Sequence, residues 1–336
     1  MTTESRTNEI FSTSLNNYKL TLADNVFDAF PLFDVMNKEG GEINTGADGS
    51  ELRGGLVMED SAADIIEPLL YGKNTTVKSY SGYDIIDTTP PVGVGNAKYA
   101  MKQVAGSVTI DRFTERQNSG EEALINLFSS KMEQLEMSFQ DAISVMMHAD
   151  GTGNGSLDIM GLDGLVSEAT TNTIGGLLET TYGWWANYRD DGAQTSAAYD
   201  ALIADMRTMY LNLCVKKQHP NFGVTSLAVY GGFEGKLLAT INYNIGMGNL
   251  LRNADYGFEN YKFHGVTLTF DNDATAGEMR FLNTKYLKFH VDKETYFEAQ
   301  PFQKPYNQDA RTAIVLLYAE MTTSNRRMQG LLHSIT

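Results

Sequence analysis

The stretch from Asn74 to Asp150 constrains this chain more than any other. It reads as two long, mostly polar alternating strands joined at a Pro/Gly tip, running almost directly into an amphipathic helix of about 30 residues. In the second strand Val104, Val108 and Ile110 share one face around Gly106, while Gln103, Thr109 and Asp111 alternate onto the other. The tip, Thr88 to Asn96, carries Pro90, Pro91, Gly93 and Gly95, which cannot continue a ladder and must turn it. A strand from Lys98 to Arg112 spans on the order of 50 Å at ~3.3 Å per residue, and a helix from Gly120 to Ala149 about 45 Å at ~1.5 Å per residue. A compact body of this length has a radius of gyration of roughly 20 Å and is about 50 Å across. An arm as long as its own body is not covered by that body, and an isolated hairpin is marginal in water. The sequence therefore predicts that a second copy of the chain shelters it.

Ser119 and Glu122 form an S-x-x-E capping box that marks the helix start. Leu124, Phe128, Met132, Leu135, Phe139, Ala142 or Ile143, and Met146 then step by three or four as one apolar stripe. Asp150, Gly151, Gly153 and Gly155 end it. Before the hairpin, residues 1 to 55 are rich in Asn, Thr, Glu and Gly, with one short apolar stretch from Leu20 to Phe33 interrupted by Pro31, and read as an arm. A short helix is expected between Glu59 and Leu70, weakened by Pro68. After the aromatic cluster Tyr182, Trp184, Trp185 and Tyr188, a second amphipathic helix is expected over 197–217 on the stripe Leu202, Met206, Met209, Leu213. A strand at 226–230, a helix at 235–242 and late strands at 281–283, 287–291, 295–298 and 313–321 complete a mixed α+β pattern.

Composition narrows the function. The 336 residues are 42% hydrophobic and 10% aromatic, ample for a packed core. Lys+Arg 26 against Asp+Glu 42 gives a formal charge of -16, which opposes tight binding to phosphate backbones without a local basic patch. The dense basic pairs, Lys216 with Lys217 and Arg326 with Arg327, are too short for such a patch. The single cysteine, Cys214, rules out an internal disulfide framework and points to a reducing birthplace. Met1 to Asn8 carries no secretion pattern, and no window approaches 18 consecutive apolar residues.

No motif for catalysis or for a metal or cofactor survives inspection. Asp150 to Asp158 matches a calcium loop at its first positions, but the twelfth is Gly161 where a bidentate Glu is required. Gly151-x-Gly153-x-Gly155 follows a helix and opens none, so it is no phosphate cradle. The 5 His (His148, His219, His264, His290, His333) show no ligand spacing. Asp271 and Asp273, with His264, are the residues a soluble hydrolase would use, against the reading of a solvated turn after the strand 266–270. The expectation is no catalytic residue, no cofactor and no metal.

The order of arm, long hairpin, capped helix, mixed domain and late strands resembles the major capsid protein of tailed bacteriophages, the Hong Kong 97 type of shell fold. The hairpin 74–112, the helix 119–149, the loop ending in Gly161-Leu-Asp-Gly-Leu165, and the run from Gln308 through Asn325-Arg-Arg-Met-Gln-Gly330 carry the likeness. The resemblance implies an α+β fold with an N-terminal arm (1–71), an extended loop (72–118), a peripheral domain (119–176 and 281–336, spine helix 119–149) and an axial domain (177–280). It implies many copies tiling an icosahedral shell as hexamers and pentamers around packaged double-stranded DNA, touched non-specifically and confined by an acidic inner wall. A portal protein and cement or decoration proteins are the further partners implied, in a virion assembled in the bacterial cytoplasm. The family-like region opens about 55 residues after Met1, too few for the scaffolding segment some members carry, so a separate scaffolding protein is expected. Expected inter-subunit contacts are Tyr80, Tyr83, Ile85, Lys98, Tyr99 and Lys102 on the loop and Asn325, Arg326 and Arg327 on the peripheral domain. Some members cross-link a loop Lys to a neighbour's Asn. Lys98 and Lys102 read here as edge charges that block stray pairing, and the bond is not claimed. An encapsulin, which encloses enzymes in the same type of shell, is the near alternative. Deleting Tyr80 to Lys102 is expected to leave the helical body folded and abolish closed particles.

Overall fold

The structure, a computed structural model, describes residues 31–32, 35–36, 55–60, 64–89, 92–117, 127–191, 199, 201–243, 261–300, 303–306 and 308–335. The capping box at Ser119 and Glu122, the loop tip at Pro90 and Pro91, and nearly all of the N-terminal arm lie outside these residues.

In chain order the strands are β1 (Gly55–Glu59), β2 (Ile65–Leu70), β3 (Val94–Tyr99), β4 (Lys102–Asp111), β5 (Thr173–Ile174), β6 (Leu177–Leu178), β7 (Tyr188–Asp191), β8 (Phe222–Thr225), β9 (Tyr261–Phe263), β10 (Val266–Phe270), β11 (Met279–Leu282), β12 (Leu287–Asp292), β13 (Glu298–Ala299), β14 (Ala310–Thr323) and β15 (Gly330–His333). Four helices matter to the packing: α1 (Arg112–Gln117), α2 (Leu127–His148), α3 (Leu202–Leu213) and α4 (Leu227–Tyr243).

One five-stranded sheet runs β1-β12-β14-β13, with β4 on the other side of β14. Here β14 pairs antiparallel with β4 from Ala310↔Asp111 to Ala319↔Lys102, and with β12 from Leu287↔Thr323 to Val291↔Ala319. Helix α2 lies on this sheet through the stripe read from the sequence: Phe139 and Ile143 are buried, with Met132, Leu135 and Met146 packed beside them, and Met147, outside the expected stripe, is buried as well. Gly106 is small for a reason, since a Cβ there would stand 2.7 Å from Leu135 Cδ1 and 3.0 Å from Phe139 Cδ2. A six-stranded sheet in the order β7-β15-β11-β8-β10-β9 forms the second layer. The expected stripe of α3, Leu202, Met206, Met209 and Leu213, seals one face of it with Val229 and Phe233 of α4.

After the long passage from β4 through α2 to β7, the chain crosses between the sheets twice more, at Asn283 to Tyr286 and at Ser324 to Gln329. The crossings are tied together: Asn283 N donates to Gln329 Oε1 at 2.9 Å, and Gln329 Nε2 donates back to Asn283 O at 3.1 Å. Arg326, wholly buried, completes the joint. Its Nε donates to Leu165 O at 2.8 Å, Nη1 to Trp185 O at 3.0 Å and Glu179 Oε2 at 3.1 Å, and Nη2 to Asn187 Oδ1 at 2.7 Å.

Several sequence expectations are corrected. The stretch 59–70 is not a helix but contributes to β1 and β2. Ile65, Glu67 and Leu69 face inward with period two, and the buried charge of Glu67 disguised the alternation. The long strand 98–112 is broken at Ala100 and Met101, and β4 is covered by β14 of the same chain rather than by a second copy. The first strand of the hairpin is β2 at 65–70, paired with β3, and residues 74–89 form no strand. The strand expected at 226–230 is the first turn of α4, with Val229 and Phe233 buried four apart; the strand is β8 just before it. The C-terminal segment 281–336, expected to return to one domain, gives β12, β13 and β14 to the five-stranded sheet but β15 to the six-stranded one.

Arg326→Met keeps bulk but leaves the buried carbonyls of Leu165 and Trp185 without this donor, while Glu179 keeps Arg189 at 2.7 Å. A buried acceptor left unsatisfied costs about 1–3 kcal/mol, and urea unfolding of the variant is expected to show a loss of at least that order.

Candidate inter-subunit surface

The β2–β3 ribbon leaves the body with two unlike faces. Its inner face, Ile65 and Tyr99, Glu67 and Ala97, Leu69 and Gly95 in register, is packed down. Its outer face, Ile66, Pro68 and Leu70 opposite Lys98, Asn96 and Val94, is exposed. Beyond it residues 73–89 stand clear of the body. Their described hydrogen bonds are local: Thr76 N and Oγ1 to Asn74 Oδ1, Ser81 N to Asp84 Oδ2, Thr89 N to Asp87 Oδ1. Val77 and Tyr80 are largely exposed, and Tyr83 and Ile85 have relative exposures of 105% and 92%. Side chains of this size are rarely left in water in such number without a partner.

The inner face is anchored by a buried ionic cluster that sequence reasoning missed. Glu67 reaches across to β12 and β14: Lys288 Nζ lies 3.0 Å and 3.1 Å from its two oxygens, His290 Nε2 3.1 Å away, and Thr322 Oγ1 3.2 Å away. His290 Nδ1 meets Glu59 Oε1 of β1 at 2.7 Å. Burial pushes the Glu67 carboxyl up, but the His290 hydrogen bond and the Lys288 charge outweigh it and hold it down at about 2. Tyr99 donates its hydroxyl to Thr323 O at 3.0 Å at the same junction. Two residues before Thr322 on β14, in register with His290, stands Glu320, whose Oε1 accepts from Met160 N at 2.9 Å. Burial pushes its carboxyl up to about 8. No local signal could have found Glu67, because its partners are more than 220 residues away in sequence.

The nine expected contact residues divide. Tyr80, Tyr83 and Ile85 are exposed on the loop. Lys98 is exposed and pairs with Asp64 at 2.5 Å, and Lys102 donates to Ser156 O at 2.7 Å. Asn325 is half-buried and Arg327 exposed. Tyr99 and Arg326 are corrected: both are buried in their own chain, one on Thr323 and the other in the joint between the sheets, so neither reaches a neighbour. Deleting Tyr80 to Lys102 would therefore remove β3 and the core residue Tyr99 along with the loop.

The hydrolase constellation does not form. His264 and Asp271 sit beyond opposite ends of the five-residue β10, roughly 17 Å of strand at ~3.3 Å per residue. His264 stacks on Tyr210 at 5.1 Å, Asp271 faces the buried His148 at 3.1 Å, and Asp273 accepts from Ser144 at 2.7 Å. Among the described residues no group of three His, Cys, Asp or Glu is arranged to hold a metal ion, and no helix is long and apolar enough to cross a membrane.

No protein-family model matches the chain, and no curated sequence does. Solved structures do. The capsid protein of cyanophage A-1(L) aligns at a TM-score of 0.65 with 12% identity, over 95% of this chain and 96% of that one. The capsid of a native GTA particle aligns at 0.62 with 10% identity, over 95% of each. The chain has the Hong Kong 97-like capsid fold. The SrpI encapsulin of Synechococcus elongatus PCC 7942 shares this fold at a TM-score of 0.53 and 10% identity, over 94% of this chain and 96% of that chain.

The two anchoring carboxyls titrate in opposite senses. Glu67 is held below its ordinary 4.5, so its contribution is full above that pH and fades as pH falls towards about 2. Glu320 is held above 4.5, so its ionisation costs stability as pH rises from there to about 8. Thermal unfolding across pH 2 to 9 should show Glu67→Gln less stable than wild type at neutral pH with the gap closing in acid. Glu320→Gln should gain on wild type as pH rises through that same upper window.

Proposed function

We propose that this chain is the major capsid protein of a tailed double-stranded DNA bacteriophage, self-assembling into the icosahedral shell that encloses the genome. The carrying observation is the stretch 73–89, exposed at the apolar side chains Val77, Tyr80, Tyr83, Ile85 and Ile86, on a capsid fold whose own surface does not cover them. In this reading α2 with β12, β13 and β14 forms the body of the peripheral domain (119–176 and 281–336) and the six-stranded sheet with α3 and α4 that of the axial domain (177–280), to which β15 is lent from the C-terminal segment, the two joined through the Arg326 network. Residues 1–71 are the N-terminal arm and 72–118 the extended loop. The loop lies on a sister subunit through Tyr80, Tyr83 and Ile85, while Lys98, Lys102, Asn325 and Arg327 supply polar contacts at the rim.

The partners are further copies of the chain in hexamers and pentamers, a portal protein, a separate scaffolding protein, cement or decoration proteins, and packaged DNA held without sequence preference. The subunit is made and assembled in the host cytoplasm and ends in the virion, as a structural protein and not an enzyme. Each inter-subunit contact is weak alone, and closure adds them because every subunit is gripped by several neighbours. The encapsulin likeness supports a second reading, a protein-filled nanocompartment; that phage and GTA capsids make up most of the similar structures favours the first.

Full-length chain, expressed alone and with the neighbouring genes of its source, is expected to elute at megadalton mass and show closed particles by negative stain. Replacing residues 73–92 with a short Gly turn, which the close approach of Gly72 and Gly93 allows, should leave the body's unfolding transition in place and abolish closure. A stable monomer in every preparation would sink the shell reading. Nuclease-protected DNA inside particles from infected cells separates a virion from a compartment holding protein cargo.

A further inference from the structure

The loop's last hold on its own chain is an aromatic stack. Tyr71, the residue after β2, lies flat on Trp184, with ring centroids 4.5 Å apart and an interplanar angle of 11°. Trp184 is braced in turn by Tyr182 at 6.0 Å and by the buried Trp185 at 5.8 Å. Beside the stack the two chain segments of the loop meet backbone to backbone. Tyr71 N and Gly72 N both donate to Gly93 O, at 2.9 Å and 3.2 Å. A Cβ on Gly72 would stand 2.8 Å from Gly93 Cα, and one on Gly93 2.9 Å from Gly72 O, so this neck closes only with glycine on both sides. A Cβ on Gly95 would stand 3.3 Å from Tyr71 Cε1, so that glycine leaves the ring its seat. Past this point no described ring contact, ion pair or hydrogen bond ties residues 73–89 to the body.

We propose that Tyr71 and Trp184 form an aromatic latch that sets the angle at which the loop leaves the subunit, with the Gly72–Gly93 neck as its pivot. The neck supplies two backbone hydrogen bonds, which hold its strands together but leave their common direction free to turn. The flat stack removes that freedom, because a ring lying on an indole has lost its tilt and most of its slide. Tyr71 is thus a positioning residue: it touches no neighbour itself and aims Tyr80, Tyr83 and Ile85 at one. The inference rests on the shell reading for its purpose, though not for its geometry.

Three variants of the full-length chain test it. Tyr71→Ala removes the ring, Tyr71→Phe keeps it, and Gly95→Val pushes the ring off Trp184 while both aromatic residues remain. Hydrogen exchange at the amides of residues 71 and 72 is expected to quicken by about two- to tenfold in the Ala and Val variants, the range an aromatic pair's energy converts to. Peptides from α2 and β14 should keep wild-type exchange, and Tyr71→Phe should match wild type throughout. In assembly, Tyr71→Ala and Gly95→Val should lose most closed particles or give open sheets, with Tyr71→Phe restoring closure. Faster neck exchange with normal shells would overturn the proposal, since the ring would then merely stabilise the neck; unchanged exchange with normal shells would overturn it as well. Should wild type itself form no particles, the shell reading fails on its own account, and wild-type exchange at residues 71 and 72 in the Ala and Val variants would still overturn the latch.

Discussion

Backbone hydrogen bonding along β14 is the constraint on which the rest depends. At 14 residues it outruns every partner, so β4 takes Ala310 to Ala319 on one side, while β12 takes Ala319 to Thr323 and β13 meets Leu316 and Val315 on the other. Leaving such a strand with an open buried edge would strand a row of polar groups, each costing about 1–3 kcal/mol. Satisfying it fixes the geometry of everything attached. β4 arrives from the loop ribbon, β12 from the six-stranded sheet, and the end of β14 leads into Arg326 and on to β15. The loop's base, the spine helix and the joint between the sheets are therefore placed by one ladder.

The ionic cluster at Glu67 extends that logic to the ribbon. A two-stranded ribbon has too little surface to stand alone, and this one is held on its inner side by Lys288, His290 and Thr322, all on the strands that β14 organises. The cluster sets one charged pair into an inner face that is otherwise apolar through Ile65, Leu69, Ala97 and Tyr99. A paired charge is specific in register: shifting β2 by one residue would turn Glu67 outward and leave Lys288 buried without its carboxylate. The ribbon is thereby locked in position at its root while its outer face stays uncovered.

Which parts of this were legible in the sequence follows from the range of the interactions involved. Helical stripes are local, so Phe139 and Ile143 on α2 and all four stripe residues of α3 were read correctly from spacing alone, while on the last turn of α2 the fully buried methionine is Met147 and not the expected Met146. Order and length of elements sufficed for the fold. What failed was what depends on distant partners. Glu67 hid a strand because a carboxylate on a buried face breaks the apolar alternation, and β8 escaped because Phe222 to Thr225, buried on both faces, shows none. Arg326 read as a surface charge beside Arg327, since nothing nearby in sequence announces Glu179, Asn187 and the carbonyl of Leu165. One side of the neck was visible, Gly93 in a turn and Trp184 in an aromatic cluster, but Gly72 and Tyr71 were not, and only the fold brings Tyr71 to Trp184.

The exposed loop finally argues for many partners rather than one tight one. Fully burying a side chain such as Tyr83, Ile85 or Val77 is worth roughly 1.5–3 kcal/mol, while ordering each on a neighbour costs about 0.5–1.5 kcal/mol. The surplus per loop is modest, and smaller still if the loop is free to wander before it docks. A pair of subunits joined by one loop would separate readily at low concentration. A ring in which each subunit both gives and receives a loop makes the second contact intramolecular, and closure makes it so for every copy. Restricting the loop's direction in the free subunit cuts the ordering cost at each contact without adding any attraction. An assembly built this way stays reversible while it grows and becomes durable only when complete, which suits a shell that must correct misplaced subunits before it seals.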